Sequence, residues 1–444
     1  MKTTFLILLN KIITFICRIF GKQASVFPAS IVRKMDNDIL TKITYPKYVI
    51  GVTGSSGKGS TTSLIAHILT TKGLNVVWNN TGSNVVNGTT TLILNNTNPF
   101  NHKMKCDCLL LEMDESYIKQ TFRKSTLTHL VITNITRDQP ARNGEPELIL
   151  NKILNSIDST THLILNADDP FVNRFKLFHQ GEITTYGIDK TKYSLKKPLS
   201  NNVDAAYCPI CHSKLKYAYY HYGHLGSYTC PNKDFARKVD YLATNVDLEN
   251  QKIDINNETY NLNKDVFFAV YYTLAAYTLC KVIGLTDEEL KYALNEKMLE
   301  SKRLKTYNFN NREVEMIESK NENNLSYLQS LNYINNYPNK KTIIIGFDNV
   351  SRRYKYNDIS WLYDVDFECL DLTNIDKILC IGRFRYDVYA RLIDAGIPED
   401  KLILVPDKNE IKNILNTTEG TIFTMVCFDM TAILKKIFME GQND

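Results

Sequence analysis

A short glycine-rich segment, TGSSGKGSTT at residues 53–62, follows the apolar run YVIGV and precedes the helix-like run SLIAHILTTKG. Glycines let the backbone wrap closely around an anion, and a helix N-terminus favours negative charge. Lys58 would neutralise phosphate charge and the Ser60 hydroxyl would bind Mg²⁺. An ordinary Gly/Ser turn is the alternative, but strand, loop, lysine and helix together predict a nucleotide site. Its predicted residues are Gly54, Ser56, Gly57, Lys58, Gly59, Ser60 and Thr61.

Acidic residues follow the apolar run CLLL. Glu112 ends that run, and Asp114 and Glu115 come soon after it. A carboxylate at the end of a buried strand is placed to contact Mg²⁺ directly or through water. Glu112 is the predicted Mg²⁺ ligand, and Asp114 and Glu115 are alternatives. A strand end that is only solvated, with no metal bound, is the other interpretation.

Two further apolar runs end in polar residues. Asn134, Arg137 and Asp138 follow HLVIT, and Asn166 and Asp168 follow THLIL. The carboxyl ends of parallel strands share one edge of a sheet, where α/β proteins bind their ligands. These residues therefore predict a polar site beside the glycine-rich segment, although Asp-Asp-Pro is also a common turn.

Three cysteines form a separate pattern in CPICHSKLKYAYYHYGHLGSYTCPNKDF. Cys208, Cys211 and Cys230 fit a zinc ribbon, but Lys233 stands where a second Cys-x-x-Cys would end. Structural zinc takes four ligands, and a lysine ligand would have to lose its proton. Asp234 is the predicted replacement, and a hairpin without zinc stays open as the other reading. The alternative fourth ligands are His212, His221 and His224.

The elements that must position these residues alternate between strand-like and helix-like runs, which predicts a mostly parallel α/β sheet. Residues 200–262 break the rhythm with short Tyr- and Asn-rich segments and predict an inserted β module. A second α/β run follows, from KKTIIIGFD to GTIFTMVC. We expect an N-terminal amphipathic helical segment over 1–45 and a central domain over 46–302, with a ribbon-like insertion at about 203–240. A Rossmann-like C-terminal domain is expected over 303–444.

Composition and charge limit the binding partners and the cellular compartment that the chain can be expected to have. The chain has 444 residues, 43% of them hydrophobic, and a net charge of +5. Residues 1–48 carry eight lysine and arginine residues against two aspartates, a net charge of +6, so the remainder is close to neutral. General basicity therefore gives no support for nucleic-acid binding, whereas the basic N-terminal region is a candidate for contact with an anionic membrane surface. Ten cysteines without disulfide spacing predict reduced thiols in a cytoplasmic protein.

The segment TTFLILLNKIITFICRIFGK is apolar but is interrupted by Lys11 and Arg18. It lacks a small-residue cleavage site, and its apolar positions fit one face of a helix. We favour an amphipathic packing helix over a membrane anchor or a cleaved signal. No run of about 20 apolar residues occurs, so no transmembrane helix is expected.

The order of these segments resembles the Mur ligase superfamily, which also includes folylpolyglutamate synthetases. TGSSGKGSTT has the form of the superfamily's nucleotide loop. NNTGSNVVNGTTTLIL, LLLEMDES, ITNITRDQPARNGE and LNADDP follow in the order of the MurT family of lipid II isoglutaminyl synthase subunits. GKQASVFPASIVRKMDNDIL and DISWLYDVDFE are similar to that family's N-terminal pattern and most specific C-terminal block, so the resemblance covers nearly the whole chain.

The resemblance implies a fold and an activity. The fold is a central P-loop ATPase domain of Mur ligase type with an inserted zinc-ribbon-like hairpin, plus a C-terminal Rossmann-like domain. The activity is ATP-dependent amidation of the α-carboxylate of D-glutamate in the lipid II stem peptide, through an acyl phosphate, to give D-isoglutamine. The implied cofactors are ATP and Mg²⁺, with structural Zn²⁺ left open. Ammonia would come from a GatD-like glutaminase in a heterodimer, because the chain offers no nucleophilic-cysteine elbow or Cys/His pair of its own.

Further roles follow from the same resemblance. In the family, Asn166 and Asp168 match a nucleotide- or metal-facing position, and a C-terminal aspartate is thought to complete the partner's Cys–His pair. Asp358 is the predicted residue and Asp364 the second candidate, since an aspartate can orient an imidazole. A helix N-cap is the structural alternative for Asp358, and both roles can hold.

The chain also departs from the family pattern. Where relatives carry Gly-x-x-Asn-x-x-Asn after the insertion, it has Val266, Ala269 and Tyr272. Only Lys320 and Asn321 clearly match the stretch that follows. Two alternatives to the ligase therefore stay open: a degenerate Mur-type scaffold that holds a glutaminase without turnover, and a polyglutamate-type ligase.

Overall fold

The larger part of the fold is built on one nine-stranded sheet. The computed structural model describes residues 1–80, 84–137, 144–198, 203–295, 304–318, 324–348 and 358–440. The strands of residues 48–261 are β1 (Tyr48–Thr53), β2 (Val76–Trp78), β3 (Cys108–Glu112), β4 (His129–Ile132), β5 (His162–Asn166), β6 (Ile183–Ile188), β7 (Lys216–Tyr222), β8 (Leu225–Thr229), β9 (Tyr241–Asp247), β10 (Lys252–Ile255) and β11 (Glu258–Asn261). The helices of residues 2–295 are α1 (Lys2–Ile19), α2 (Phe27–Met35), α3 (Lys58–Thr71), α4 (Val86–Asn95), α5 (Ile118–Thr121), α6 (Pro146–Leu154), α7 (Pro170–Asn173), α8 (Phe267–Val282) and α9 (Asp287–Asn295).

The sheet has the order β11-β10-β9-β6-β5-β4-β1-β3-β2 and is parallel from β9 to β2. Successive side chains of a strand point to opposite faces, so runs that are apolar throughout predict helices on both sides. In β1, Ile50 and Val52 belong to the core under α3 and α8. Val49 belongs to the opposite core, which α1, α2, α4 and α6 cover. The predicted parallel α/β architecture is therefore confirmed.

Much of the region of residues 200–262 belongs to the central sheet, although the sequence predicts a separate module there. Only β7 and β8 form a separate antiparallel pair. β9 pairs in parallel with β6, and β10 and β11 extend the same sheet in antiparallel fashion. The prediction of one inserted module over the whole region was wrong, because its second half completes the central sheet.

The C-terminal part has its own six-stranded sheet with the order β12-β13-β17-β14-β15-β16. Its elements are β12 (Leu304–Phe309), β13 (Arg312–Glu318), α10 (Asn324–Asn336), β14 (Lys341–Gly346), β15 (Ile375–Ile381), α11 (Arg385–Asp394), β16 (Leu402–Leu404), α12 (Ile411–Leu415), β17 (Thr421–Val426) and α13 (Phe428–Glu440). All pairs are parallel except β12 with β13. This sheet has a core of its own, which fits a Rossmann-like domain. The predicted boundary at 302/303 lies outside the described residues, as do Asp138, Lys320 and Asn321.

Two expectations about the whole chain can be compared with the structure. The structure places each of the ten cysteines outside a disulfide bond. Across the described helices, none combines the length and apolarity that crossing a bilayer requires.

Candidate nucleotide and substrate site

The glycine-rich segment forms the turn between β1 and α3. Gly54 has a φ of +130° and Gly57 a φ of +79°, conformations that favour glycine. A Cβ at Gly54 would lie 2.3 Å from Thr133 Oγ1, so the close approach of the loop to β4 also requires glycine there. Helix α3 begins at Lys58, and the first N–H groups of a helix have no partner within it. The seven predicted residues therefore form the connection from β1 to α3 together with the first turn of α3, and this arrangement can bind an anion.

The lysine of the loop is buried and paired. Lys58 is 2% exposed, and its Nζ lies 3.1 Å from Glu115 Oε1. The same ammonium donates to the Gly54 carbonyl, and the Gly54 N–H donates to Glu115 Oε1 at 3.1 Å. The Glu115 carboxylate thus makes the contacts with a loop N–H and a loop lysine that a phosphate oxygen makes in such sites. Glu115, an alternative to Glu112 in the sequence, is the acidic residue that contacts the loop.

Glu112 lies at the end of β3 and is 8% exposed. Its N–H donates to Asn79 Oδ1 at 2.8 Å, and Asn79 Nδ2 donates to the Glu112 carbonyl at 2.9 Å. This exchange fixes the end of β3 against the chain that leaves β2. Glu112 and Ser60, which is half-buried in the first turn of α3, supply the carboxylate and hydroxyl oxygens that Mg²⁺ prefers.

Asn134 connects the end of β4 to the loop. Its Oδ1 accepts from the Ser56 N–H at 2.9 Å and its Nδ2 donates to the Ser56 carbonyl at 3.1 Å. Its own carbonyl accepts from the Ser55 N–H at 2.8 Å. Asn134 thus fixes the loop conformation, and its role toward a nucleotide stays a prediction.

Asn166 and Asp168 lie deeper than the loop. Asn166 donates to the Thr133 carbonyl at 2.9 Å. Asp168 is fully buried; its Oδ1 accepts from Arg237 Nε at 2.5 Å and its Oδ2 from the Tyr271 hydroxyl at 2.8 Å. Burial and the Asp168 carboxylate raise the pKa of Tyr271 well above its ordinary value, so its hydroxyl stays a donor. Asp168 thus connects the end of β5 to α8 and to the segment after the β7–β8 hairpin. Its role toward a nucleotide stays a prediction.

Asp204, which sequence reasoning missed, holds the chain that leaves β4. Its Oδ2 accepts from Thr136 Oγ1 at 2.5 Å and from the Arg137 N–H at 3.2 Å. The Arg137 side chain then reaches across to the C-terminal domain, where Nη1 lies 3.4 Å from Asp364 Oδ1. Burial raises the pKa of Asp364, and Arg137 opposes that rise. No local signal marks Asp204, because it lies in an Asn-rich segment far along the chain.

The Arg137–Asp364 pair borders a cleft of 660 Å³. Its lining comes from the central domain, the start of the insertion and the C-terminal domain, and includes Arg174, Asp204 and Tyr207. Charged side chains of both signs line it, which suits a polar ligand.

Asp358 begins the block DISW and lies two residues before the turn Ser360–Asp364, whose N-cap position is Ile359 rather than the aspartate. Its Oδ1 accepts from the Ser360 N–H at 2.9 Å. Trp361, 2% exposed, packs against Tyr327 and Phe347 with ring centroids 5.3 Å away in each case. The buried tryptophan anchors the turn Ser360–Asp364 and holds the half-buried Asp358 at the surface of the domain.

The three cysteines of the insertion converge. The ligand atoms of Cys208, Cys211, Cys230 and Asp234 all lie within 4.8 Å of one another. A tetrahedral site with zinc–sulfur bonds of about 2.3 Å separates its ligands by roughly 3.8 Å, so these donors fit zinc. Backbone N–H groups two residues after Cys208 and Cys230 point at the sulfurs, at 3.4 and 3.3 Å. Among the residues proposed for the fourth position, Asp234 is the one that joins the cluster.

The three histidines that the sequence offered as the fourth zinc ligand are not part of the cysteine cluster. His221 Nε2 contacts the Ile188 carbonyl at 3.2 Å, and His224 Nε2 lies 3.2 Å from Asp169 Oδ1. His212 lines the cleft. Lys233, at the fourth-cysteine position, has a φ of +62° and its N–H donates to the Cys230 carbonyl.

The departures from the family pattern lie on α8. Ala269 is fully buried, and Tyr272 is 5% exposed with its hydroxyl donating to Asn263 Oδ1. Both residues belong to the core under α8. Neither offers the side-chain amide that the corresponding asparagines would carry.

Residues 52–233 match the family described as Mur ligase middle domain, and residues 319–432 match MurT ligase C-terminal. The MurT subunit of lipid II isoglutaminyl synthase from Staphylococcus aureus strain COL is 27% identical over 435 residues, 96% of each chain. Its counterpart from Streptococcus pneumoniae strain ATCC BAA-255 / R6 is 26% identical over 95% of this chain and 92% of its own. A pseudomurein peptide ligase type C from Methanothermus fervidus aligns with a TM-score of 0.69 at 21% identity, over 91% of this chain and 80% of that one. MurF from Acinetobacter baumannii aligns with a TM-score of 0.64 at 14% identity, over 92% and 80%.

Proposed function

The chain belongs to the Mur ligase superfamily, as a divergent relative of the MurT subunits, and on that premise we propose that it amidates lipid II. The substrate would be the α-carboxylate of D-glutamate in the stem peptide, and the product D-isoglutamine. The observation that carries the proposal is the match to MurT subunits over 96% of both chains, combined with an intact lysine-bearing phosphate loop at the edge of a parallel sheet. The enzyme would act in the cytoplasm, where its nucleotide is available.

The reaction takes place in two steps. A carboxylate oxygen attacks the γ-phosphorus of ATP, ADP leaves, and an acyl phosphate forms. Ammonia then attacks the carbonyl carbon, phosphate leaves, and the amide remains after loss of a proton. Phosphoryl transfer needs positioning and charge neutralisation more than a covalent enzyme group. Lys58 and the N–H groups of the loop supply both for the β- and γ-phosphates, and Arg137 faces the cleft where a carboxylate would bind.

Ser60 and Glu112 are the residues proposed to hold Mg²⁺ at this edge, with Asp114 and Glu115 close by in the chain. When bound, the ion would neutralise charge on the transferred phosphoryl group. The Lys58 ammonium contacts both the Glu115 carboxylate and the Gly54 carbonyl. ATP binding would therefore move the lysine from the carboxylate toward the phosphates.

Ammonia would come from a GatD-like glutaminase bound as a second subunit. Burial raises the pKa of several thiols, to about 11 for Cys106 and about 12 for Cys108, Cys369 and Cys380, which disfavours a thiolate nucleophile at those positions. Three other cysteines lie in the insertion cluster. Asp358, half-buried just before the turn Ser360–Asp364, is the residue proposed to orient the partner's histidine.

The second candidate is a scaffold that binds a glutaminase without ligase turnover. It is favoured by one observation, the replacement of two amide side chains by Ala269 and Tyr272 in the core of α8. The paired Lys58 and the acidic strand ends favour the ligase. A polyglutamate-type ligase shares the loop but has no counterpart to the match at residues 319–432.

ATP hydrolysis by the purified chain with its glutaminase, with and without lipid II, tests the proposal. We expect lipid II to stimulate hydrolysis, because the acceptor carboxylate completes the reacting pair. A matched comparison replaces lipid II by lipid II that is already amidated, which should not stimulate. Equal hydrolysis in all three mixtures would contradict the ligase and favour the scaffold.

We also propose that Cys208, Cys211, Cys230 and Asp234 hold a structural zinc ion. Protein purified without chelator is expected to contain about one zinc per chain. Cys208→Ser should lose the metal and the melting temperature should fall, while Cys17→Ser, which changes a cysteine outside the cluster, should retain both. Metal analysis and thermal unfolding with added chelator provide the measurement. Equal zinc content in the two variants would refute the site.

A further inference from the structure

Helix α1 has an exposed apolar stripe. Its members are Phe5, Leu8, Ile12, Phe15, Ile16 and Ile19. Their exposed fractions range from 38% to 66%, and their spacing of three and four residues places them along one side of the helix. The sequence predicts a helix that packs against the domain. The stripe is the apolar surface of that helix that the packing does not cover.

The opposite side of α1 is fixed to the domain. Leu6 and Ile7 are fully buried in the core that α2 and α4 share. Asn10, also fully buried, donates from Nδ2 to Asn95 Oδ1 at 3.0 Å. Thr14 belongs to the same buried side. A rotation of α1 that buried the stripe would expose Leu6 and Ile7 and break the buried contact between Asn10 and Asn95. The packing of the opposite side therefore keeps the stripe exposed.

The charges around the stripe have one sign. Residues 1–35 contain six lysine and arginine residues and no aspartate or glutamate. On the helical wheel, Lys11 and Arg18 fall along one border of the stripe, and Lys11 Nζ donates to the Asn95 carbonyl at 2.6 Å. Burial and the nearby charge of Lys105 lower the pKa of Lys11, and Lys105 is itself a further basic residue near this border. The border is therefore complementary to a negatively charged surface.

A loop next to the helix adds to this surface. Thr4 Oγ1 lies 3.1 Å from His102 Nε2, and Phe100 in the same loop is 80% exposed. Beyond the helix, Phe20 is 75% exposed. Single exposed apolar residues are ordinary, but a continuous stripe with aromatic neighbours and basic borders is the pattern of a helix that lies in a membrane interface.

We propose that α1 binds the surface of an anionic lipid bilayer, with the stripe among the acyl chains and the basic residues at the headgroups. Eighteen residues give a helix about 27 Å long, which lies flat in the interface through its apolar side. The uniform positive charge favours an anionic bilayer over a second copy of this chain, whose identical face would bring like charges together.

The inference goes beyond the proposed function and does not require it, because lipid binding is measured without nucleotide. If the proposed function also holds, the same helix keeps the enzyme at the surface where a lipid-linked substrate is presented.

Sedimentation of the full chain with vesicles tests the proposal. Vesicles of phosphatidylcholine with phosphatidylglycerol should bind the protein, and vesicles of phosphatidylcholine alone should bind it at least about tenfold more weakly. Phe15→Glu places a charge in the centre of the stripe and should lower binding by tenfold or more. Phe178→Glu, which changes a phenylalanine of similar exposure outside α1, is the matched control and should bind as the wild type does. Arg18→Glu should weaken binding by roughly tenfold or more, since it reverses one charge near the surface.

Three results would overturn the proposal. The first is a wild-type protein that stays in solution with anionic vesicles at every lipid concentration. The second is equal binding of these vesicles by the wild type and by Phe15→Glu. The third is a wild type that is dimeric by light scattering and becomes monomeric in Phe15→Glu without any change in lipid binding, because the stripe would then be a self-association surface. Thermal unfolding of each variant checks that the exposed substitutions leave the fold intact.

Discussion

Lys58→Ala is expected to lower ATP-dependent amidation by on the order of 10²–10³-fold, the range found when one stabilising group of a transition state is removed. The Lys58 ammonium is fixed at the phosphate loop by the Gly54 carbonyl and Glu115. Its loss would remove charge neutralisation at the transferred phosphoryl group. Initial rates of ADP formation with lipid II and ammonia at saturating ATP provide the measurement.

The stability of this variant must be separated from its activity. Lys58 and Glu115 are both 2% exposed, so removing one leaves a buried charge, which typically costs about 3–5 kcal/mol. Lys58→Met combined with Glu115→Gln removes both charges and should recover most of that stability while remaining inactive. Lys72→Ala changes an exposed lysine just after the last turn of the same helix and should keep both stability and rate. A folded Lys58 variant with near wild-type rates would contradict the proposed role.

Asp358→Asn is expected to lower glutamine hydrolysis by the two-subunit complex by up to about 10⁴-fold, the effect of the same change in an Asp–His pair. Asparagine keeps the oxygen that accepts from the Ser360 N–H, so the turn and the packing of Trp361 should be unchanged. Thermal stability should therefore stay within about 0.5 kcal/mol of the wild type. A role of Asp358 in the hydrogen bond to Ser360 alone predicts normal glutamine hydrolysis in this variant.

A second readout distinguishes the partner's reaction from ligation. With ammonium chloride in place of glutamine, Asp358→Asn should amidate lipid II at the wild-type rate, because ammonia no longer has to be produced. Asp364→Asn is the matched control in the same turn; its partner is Arg137, and glutamine hydrolysis should be retained. Loss of hydrolysis in Asp364→Asn with retention in Asp358→Asn would assign the role to the other aspartate.

Local patterns were sufficient to predict the glycine-rich turn between β1 and α3. Gly54, Gly57 and Lys58 lie within five residues, and the runs on either side have the periodicity of a strand and a helix. The strands β3, β4 and β5, which end at or just before Glu112, Asn134 and Asn166, were predictable for the same reason, since each is a short apolar run followed by polar residues. The sheet order then brings these ends together, as expected for parallel strands.

Contacts between distant segments could not be read from such patterns. Asp204 holds Thr136, and Arg237 and Tyr271 meet at Asp168, although 69 and 103 residues separate them from that aspartate. The pairing of β9 with β6 also depends on tertiary structure, because short polar strands at the edge of a large sheet resemble those of an inserted hairpin. The position of Asp234 beside three cysteines is a further example, because its sequence alone left three histidines as alternatives.

The measurement that tests the central claim most directly is the mass of lipid II after incubation with this chain, ATP, Mg²⁺ and ¹⁵N-labelled ammonium. The account predicts one new amide per stem peptide, with the label on the α-carboxamide of D-glutamate and one ADP formed for each amide. Lys58→Ala should give unlabelled lipid II. Unmodified lipid II with the wild-type chain, at protein concentrations where the nucleotide is bound, would contradict a ligase and leave the superfamily fold as a scaffold.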